Sequence, residues 1–271
     1  MKTLSRCPRL TVRHWIGVLG VLLWTSCHTV PETGRSAFNI IPASQELALG
    51  EEAFASLKKE SANQIVRSGA QYEMLRRVGQ RIARVSAQPN ASWEFVLFKD
   101  DDNVNAFALP GGKVGVYTGM FKLIDKEDEL AIVIGHEIGH VVARHGVSRM
   151  STQLMVGLGG VAIGAASSDM SSEEQAMVLG AYGVSSELFV ALPYSRSNEV
   201  EADHIGLIYA ARAGYDPRVA IGFWEKMGRM SGGESFEILS THPASTTRIE
   251  EMKKVMPKAM DEYRRARPDL F

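Results

Sequence analysis

The stretch His136-Glu137-Ile138-Gly139-His140 decides the reading of this 271-residue chain. Around it, Asp128 to His145 carry Leu130, Val133, Ile134, Ile138 and Val141 at helical spacing, which predicts a single amphipathic or buried helix. Four residues along a helix turn the chain by about 40°, so both imidazoles can address one zinc ion. Zinc lowers the pKa of a water towards about 7, and the glutamate beside the first histidine stands where it can take that proton. With seven His in the chain, an accidental match arises in roughly one chain in a hundred. The pattern serves peptide hydrolysis with Glu137 as general base.

Such a centre needs a third protein ligand and leaves the fourth position to water. Asn198-Glu199-Val200-Glu201-Ala202-Asp203 offers Glu199 and Asp203 at i and i+4, on one face of a helix. Glu199 could then bind zinc while Asp203 accepts a hydrogen bond from the outer nitrogen of a ligand histidine. Glu201 points away from that face and reads as a solvated helix charge. His145 and His204 lie off the ligand pattern and read as structural or surface histidines.

Outward from the motif, the chain reads as α+β and mostly helical. Leu47, Gly50, Phe54 and Leu57 mark a helix with Ser44 as its expected N-cap, and Leu75, Val78, Ile82 and Val85 mark a second, ended by Pro89-Asn90. Trp93, Phe95 and Leu97 alternate with their neighbours, and Val104 to Leu109 and Lys113 to Thr118 flank Pro110-Gly111-Gly112. These predict three short strands with a Gly-rich turn, a small antiparallel sheet beside the motif helix. Leu154 to Ala166 is an apolar run of 13 residues, short of the roughly 20 that span a bilayer. After a polar break at 167–176, helices are expected over 174–190, 197–213, 216–230 and 245–264. No internal repeat interrupts a single domain over 44–271.

Thirty Lys+Arg against 31 Asp+Glu give a net charge of -1, so no basic field argues for nucleic acid. Four of those bases, Lys2, Arg6, Arg9 and Arg13, sit in an acid-free head, and the apolar run Trp15 to Trp24 follows. Basic head and apolar run have the layout of a bacterial secretory signal. Thr25-Ser26-Cys27 then resembles a lipobox whose cysteine is lipidated, although Trp24 departs from the usual aliphatic residue. The expected organisation is a signal peptide over 1–27, a tether without periodicity over 28–43 and the folded domain from 44. His28 is not the aspartate associated with inner-membrane retention, which points to the outer membrane. The only cysteines, Cys7 and Cys27, lie in or beside the targeting segment, so the folded body has neither disulfide nor thiolate chemistry.

The motif helix, then Tyr194-Ser195-Arg196-Ser197-Asn198-Glu199-Val200-Glu201-Ala202-Asp203-His204-Ile205-Gly206, then Thr241-His242-Pro243 with Arg248, together resemble family forty-eight of the metallopeptidases. Asn105-Ala106-Phe107-Ala108-Leu109-Pro110-Gly111-Gly112 is similar to that family's strand and turn. The resemblance runs from about Gln45 to Met256. It implies a zincin-like fold, one zinc ion per chain held by His136, His140 and Glu199, Glu137 as general base, and Asp203 as a functional acid, read here as orienting a ligand histidine. His242 matches a family histidine that approaches the metal, either to stabilise the oxyanion or to close zinc's open position and hold the enzyme latent. Arg196 could hold a carboxylate near the site or clamp substrate backbone. Val104 to Leu109 is either an edge strand to which an extended polypeptide adds or an ordinary hairpin arm.

The resemblance further implies an endopeptidase acting on unfolded or misassembled envelope proteins in the bacterial periplasm, anchored to the outer membrane through Cys27. Its multi-span members, the prenyl-protein endopeptidases among them, are a poor match for a chain with no internal span, and no tetratricopeptide repeat domain is expected before Phe271. The competing expectation is a latent or non-catalytic zinc lipoprotein acting as a chaperone or assembly factor. The two differ at Glu137, which hydrolysis requires and metal binding does not.

Overall fold

The computed structural model describes residues 27–155, 195–230, 237–243 and 245–270. All of the expected signal segment but Cys27, most of the apolar run from Leu154 and the helix expected over 174–190 lie outside the described residues. In chain order the elements are β1 (Cys27–Thr29), β2 (Ser36–Phe38), α1 (Ala43–Glu60), β3 (Ile65–Val66), α2 (Ala70–Val85), β4 (Glu94–Phe98), β5 (Ala106–Leu109), β6 (Lys113–Tyr117), α3 (Glu127–Val142), α4 (Arg196–Arg212), α5 (Val219–Met230), α6 (Glu237–Thr241) and α7 (Thr246–Ala266). Residues 145–155 are also helical.

The α+β class holds, and the sheet is mixed rather than antiparallel. Its order is β3-β4-β6-β5. β5 and β6 pair antiparallel across Pro110-Gly111-Gly112, where both glycines adopt positive φ (81° and 84°), a conformation that disfavours side chains with a Cβ. β4 pairs parallel with β6 because the segment from β4 to β5 carries the chain past β6 to the far edge. β5 is thus an edge strand of this sheet, as β3 is at the other side, yet Ala106 to Leu109 are all buried.

α3 is the central element. Its first turn carries Glu127, Asp128 and Glu129, acids that favour a helix N-terminus, and from Glu129 to Val142 every residue is buried. It packs on β5, α2, α4 and α5. The contact with α4 is backbone on backbone: a Cβ on Gly135 would lie 2.7 Å from the Gly206 carbonyl oxygen, and one on Gly206 would lie 2.6 Å from the His136 nitrogen. Small residues at this crossing bring the motif helix and the Glu199 helix close enough to share a ligand.

Two boundaries differ from expectation with consequences for the site. The motif helix stops at Val142 rather than running to His145, and Arg144 turns the chain at φ 55°. That left-handed conformation costs a non-glycine residue about 1 kcal/mol, and it is held by the ion pair of Arg144 with Glu46 and a bond from Arg144 Nη2 to the Ile41 carbonyl (3.5 Å). Residues 28–43 are not a bare tether either. β1 and β2 form a hairpin with Val30, Ala37 and Asn39 buried, because Arg35 and Glu32 find partners on α4, namely Glu201 and Arg212. The first long helix starts at Ala43 with Pro42 at its N-cap and no capping bond from Ser44.

Among the described residues, no helix is long and apolar enough to cross a membrane.

Candidate metal centre

His136 and His140 project from α3 towards Glu199, in the first turn of α4. Ser195 caps that helix by accepting a hydrogen bond from Asn198 N (3.3 Å), which sets Glu199 in place. His242 arrives from the turn between α6 and α7. There the Ile238 amide donates to the Val104 carbonyl (3.1 Å), tying α6 to the approach to β5, and the His242 amide donates back to Ile238 (2.7 Å). One ligand atom from each of His136, His140, Glu199 and His242 lies within 4.8 Å of the others, and all four residues are buried.

Distances within the cluster show what the donors lack. His140 Nε2 lies 3.1 Å from His136 Nε2, which lies 3.2 Å from His242 Nδ1, and Glu199 oxygens stand 3.4 Å from both α3 histidines and 3.1 Å from His242 Nδ1. Lone pairs and a carboxylate converge on one point with few hydrogens to share, which is the donor set of a zinc site. Charge agrees. Glu137, Glu199 and Asp203 are all buried, and among the described residues the guanidinium of Arg248 pairs with Glu199 and Asp203, so buried carboxylates outnumber arginines here, an excess that favours a bound cation. Burial alone would lower the His136 pKa, but the bonds to Asp203 and Glu199 outweigh it and raise it to about 9. Burial opposes ionisation of Glu199 as well, yet His242, His136 and His140 hold it far below the usual carboxylate range.

Glu137 follows the other rule. Its Oε1 is buried with no hydrogen-bond partner and lies 3.6 Å from His242 Nε2. Burial raises its pKa, His242 and His136 opposing. A carboxylate with an unengaged oxygen beside a cation site is equipped to accept a proton.

The outer nitrogens of the two α3 histidines are engaged differently. His136 Nδ1 donates to Asp203 Oδ1 at 2.9 Å, and Asp203 is gripped by Arg248, whose Nε and Nη2 both donate at 2.7 Å. Arg248 also reaches Glu199 (3.1 Å), donates to the His242 and Pro243 carbonyls, and stacks 3.9 Å from the centre of the Trp224 ring. His140 Nδ1 meets His145 Nδ1 at 2.9 Å, and His145 Nε2 meets Glu201 Oε2 at 2.8 Å. The structure thus brings Glu199 into the cluster and Asp203 against His136 Nδ1. One expectation is corrected: Glu201 is buried rather than solvated, because the hairpin and His145 cover the face of α4 opposite the cluster. Of the two alternatives for His145, structural or surface, the fully buried position against His140 is the structural one. Arg196 is exposed, and Arg248 takes the carboxylate-holding place considered for it. Trp224 carried no signal in the sequence.

Two helix-borne imidazoles facing a glutamate, with a second buried glutamate beside them whose Oε1 makes no hydrogen bond, put the chain in the class of zinc-dependent metalloendopeptidases. Comparison with known proteins narrows this. A family model described as Peptidase family M48 matches residues 70–256, and the chain belongs to that family. It is 34% identical to mitochondrial metalloendopeptidase OMA1 of Schizosaccharomyces pombe over 95% of this chain and 76% of that one. Its identity to the OMA1 of Saccharomyces cerevisiae is 29%, over 96% of this chain and 78% of the yeast protein. With the beta-barrel assembly-enhancing protease of Escherichia coli it shares 28% over 88% of its length, spanning about half of that protein (49%).

Proposed function

We propose that this chain is a zinc endopeptidase of the bacterial cell envelope that cuts unfolded or misassembled envelope proteins. The observation that carries the reading is the buried His136, His140, Glu199 and His242 cluster with Glu137 at its edge, its Oε1 making no hydrogen bond. In this reading His136, His140 and Glu199 hold zinc, which when bound polarises a peptide carbonyl and makes water a nucleophile at neutral pH. Glu137 accepts the proton of the attacking water and passes it to the leaving amine. Asp203, clamped by Arg248, keeps the Nδ1 hydrogen of His136 in place so that Nε2 presents a lone pair. The basic head, the apolar run and Thr25-Ser26-Cys27 support export and a lipid anchor at Cys27 in the outer membrane. The name of the Escherichia coli relative supports an envelope role, and the OMA1 names support endoproteolysis.

A second reading is favoured by the 3.2 Å approach of His242 Nδ1 to His136 Nε2. There His242 occupies the fourth position, and the chain is latent or acts as a zinc-bound chaperone or assembly factor. An oxyanion-stabilising role for His242 is the alternative within the catalytic reading.

Cleavage of casein by the zinc-loaded protein, wild type beside Glu137→Gln and His242→Ala, tests both. A cut by wild type or His242→Ala that Glu137→Gln loses by about 10²- to 10⁴-fold is expected. Faster cleavage by His242→Ala reports latency, and slower cleavage reports oxyanion stabilisation. No cleavage by any of the three at one zinc per chain favours the chaperone reading. Zinc content unaffected by His136→Ala would sink the ligand assignment.

A further inference from the structure

We propose that His145 and Glu201, locked by Thr33 and Arg35 of the β1–β2 hairpin, are positioning residues that fix the ring tautomer and orientation of His140, making the hairpin a working part of the metal centre. The inference rests on His140 being a zinc ligand.

Hydrogen counting leads to it. If His140 Nε2 offers a lone pair to the cluster, Nδ1 carries the ring hydrogen, and that hydrogen points at His145 Nδ1, 2.9 Å away. His145 must then accept at Nδ1, so its own hydrogen sits on Nε2 and is donated to Glu201 Oε2 at 2.8 Å. A neutral histidine has one arrangement that satisfies both neighbours, and it is the one that leaves His140 able to ligate. In the other tautomer His145 would donate to His140 and move its hydrogen onto Nε2, where ligation fails. Glu201 selects between the two.

Glu201 is itself held. Thr33 Oγ1 donates to Oε1, and Arg35 Nε donates to Oε2 at 2.6 Å, while Arg35 Nη2 reaches the Ala143 carbonyl at 3.4 Å. Both residues belong to the hairpin, outside the segment matched by the family model. The turn at Arg144 makes the relay possible. On a continuous helix a residue five places on is rotated by about 140°, away from its neighbour, and the left-handed Arg144 brings His145 back onto His140. The two α3 histidines are thus braced from opposite ends of the chain: His136 through Asp203 and Arg248 of α7, His140 through His145, Glu201 and the N-terminal hairpin.

The test measures zinc affinity of the full chain by competition with a chromophoric chelator, and the visible spectrum of the cobalt-substituted protein, which reports ligand geometry. The variants are His145→Leu, His145→Asn and Arg35→Ala, with His140→Ala as reference. Asn places Oδ1 where His145 Nδ1 stands and so keeps an acceptor for His140. We expect zinc binding about 10- to 100-fold weaker in His145→Leu, an altered cobalt spectrum, and recovery of at least part of both in His145→Asn. Arg35→Ala should weaken binding about threefold or more, and it decides the matter if His145→Leu does not fold. Wild-type spectra with less than threefold loss in His145→Leu or in Arg35→Ala overturn the proposal. Equal losses in His145→Leu and His145→Asn, the signature of packing alone, overturn it as well. If His140→Ala binds zinc like wild type, the ligand assignment fails instead, which separates the two ideas.

Discussion

Replacing Arg248 by Met should be among the most damaging single changes in this protein. The methionine keeps an unbranched stem over Trp224, so little apolar packing is lost, and the effect isolates the charge. Gone are two 2.7 Å bonds to Asp203, the 3.1 Å contact with Glu199 and the bonds to the His242 and Pro243 carbonyls. Removing one partner of a buried ion pair costs about 3–5 kcal/mol, because Asp203 loses both guanidinium bonds while still buried and keeps only the contact with His136 Nδ1. For a domain of this size that lowers Tm by roughly 6–20 °C. Urea unfolding at fixed excess zinc, repeated with chelator, gives the loss with and without the metal's contribution. The double variant with Asp203→Asn supplies the control. Once the carboxylate is neutral the missing guanidinium matters less, so the two single losses should exceed the double by about 2 kcal/mol. Arg248→Lys should restore little, since an ammonium cannot bond both Asp203 oxygens as a fork does. A loss below about 1 kcal/mol for Arg248→Met, or additive costs in the cycle, would refute the reasoning.

Three further outcomes follow from the same structure. Gly206→Ala puts a Cβ 2.6 Å from the His136 nitrogen and 2.7 Å from the Gly135 carbonyl carbon, backbone that cannot step aside. It should cost about 1–3 kcal/mol or more and weaken zinc binding by separating α3 from α4; a thermal melt and zinc titration matching wild type would contradict the close-contact account. Withdrawing zinc should lower stability by about 4 kcal/mol relative to protein at a free zinc concentration near 1,000 times its Kd. An unchanged Tm in chelator would argue against a zinc site in the folded state. Tyr209 is fully buried and its hydroxyl accepts from the Ala87 amide at 3.1 Å; burial raises its pKa from 10.0 to about 12. Its folded form holds the phenol proton more tightly than the unfolded one, so this stability is intact below pH 10 and lost as pH climbs towards 12. Tyr209→Phe should flatten part of that alkaline loss, and urea midpoints falling equally in both proteins between pH 10 and 12 would exclude the effect.

The centre was legible in the sequence where its geometry is local. His136 and His140, or Glu199 and Asp203, need only the helical period to be seen as pairs, and the resemblance links the two helices that Gly135 and Gly206 bring into contact. Non-local relations were not legible. Arg248 is 45 residues from Asp203, and no period connects α7 to α4. Periodicity makes Glu201 look solvated because the face of a helix opposite a binding face is ordinarily wet, and nothing periodic in residues 28–43 says that this segment folds back to cover it. A strand of three residues, as β1 and β2 each are, is too short for alternation to register. The parallel pairing of β4 with β6 escaped for a related reason: strand spacing reports that strands exist, while their order depends on the crossover.

The early end of the motif helix at Val142 has the most to say about mechanism. A periodic apolar pattern from Leu130 to Val141 gives no reason to stop the helix at Val142, and Arg144 is neither glycine nor asparagine, the residues that usually announce a left-handed turn. The turn is a tertiary product, held by Glu46 of α1 and the Ile41 carbonyl from outside. Its strain of about 1 kcal/mol is offset by contacts that exist only once the segment from Ile41 to Glu46 has docked. Residues N-terminal to the family-matched region therefore act twice on the end of the motif helix, through Glu46 on Arg144 and through Arg35 on Glu201. A ligand helix whose C-terminal geometry depends on the preceding segment is one whose metal centre is complete only when that segment is seated.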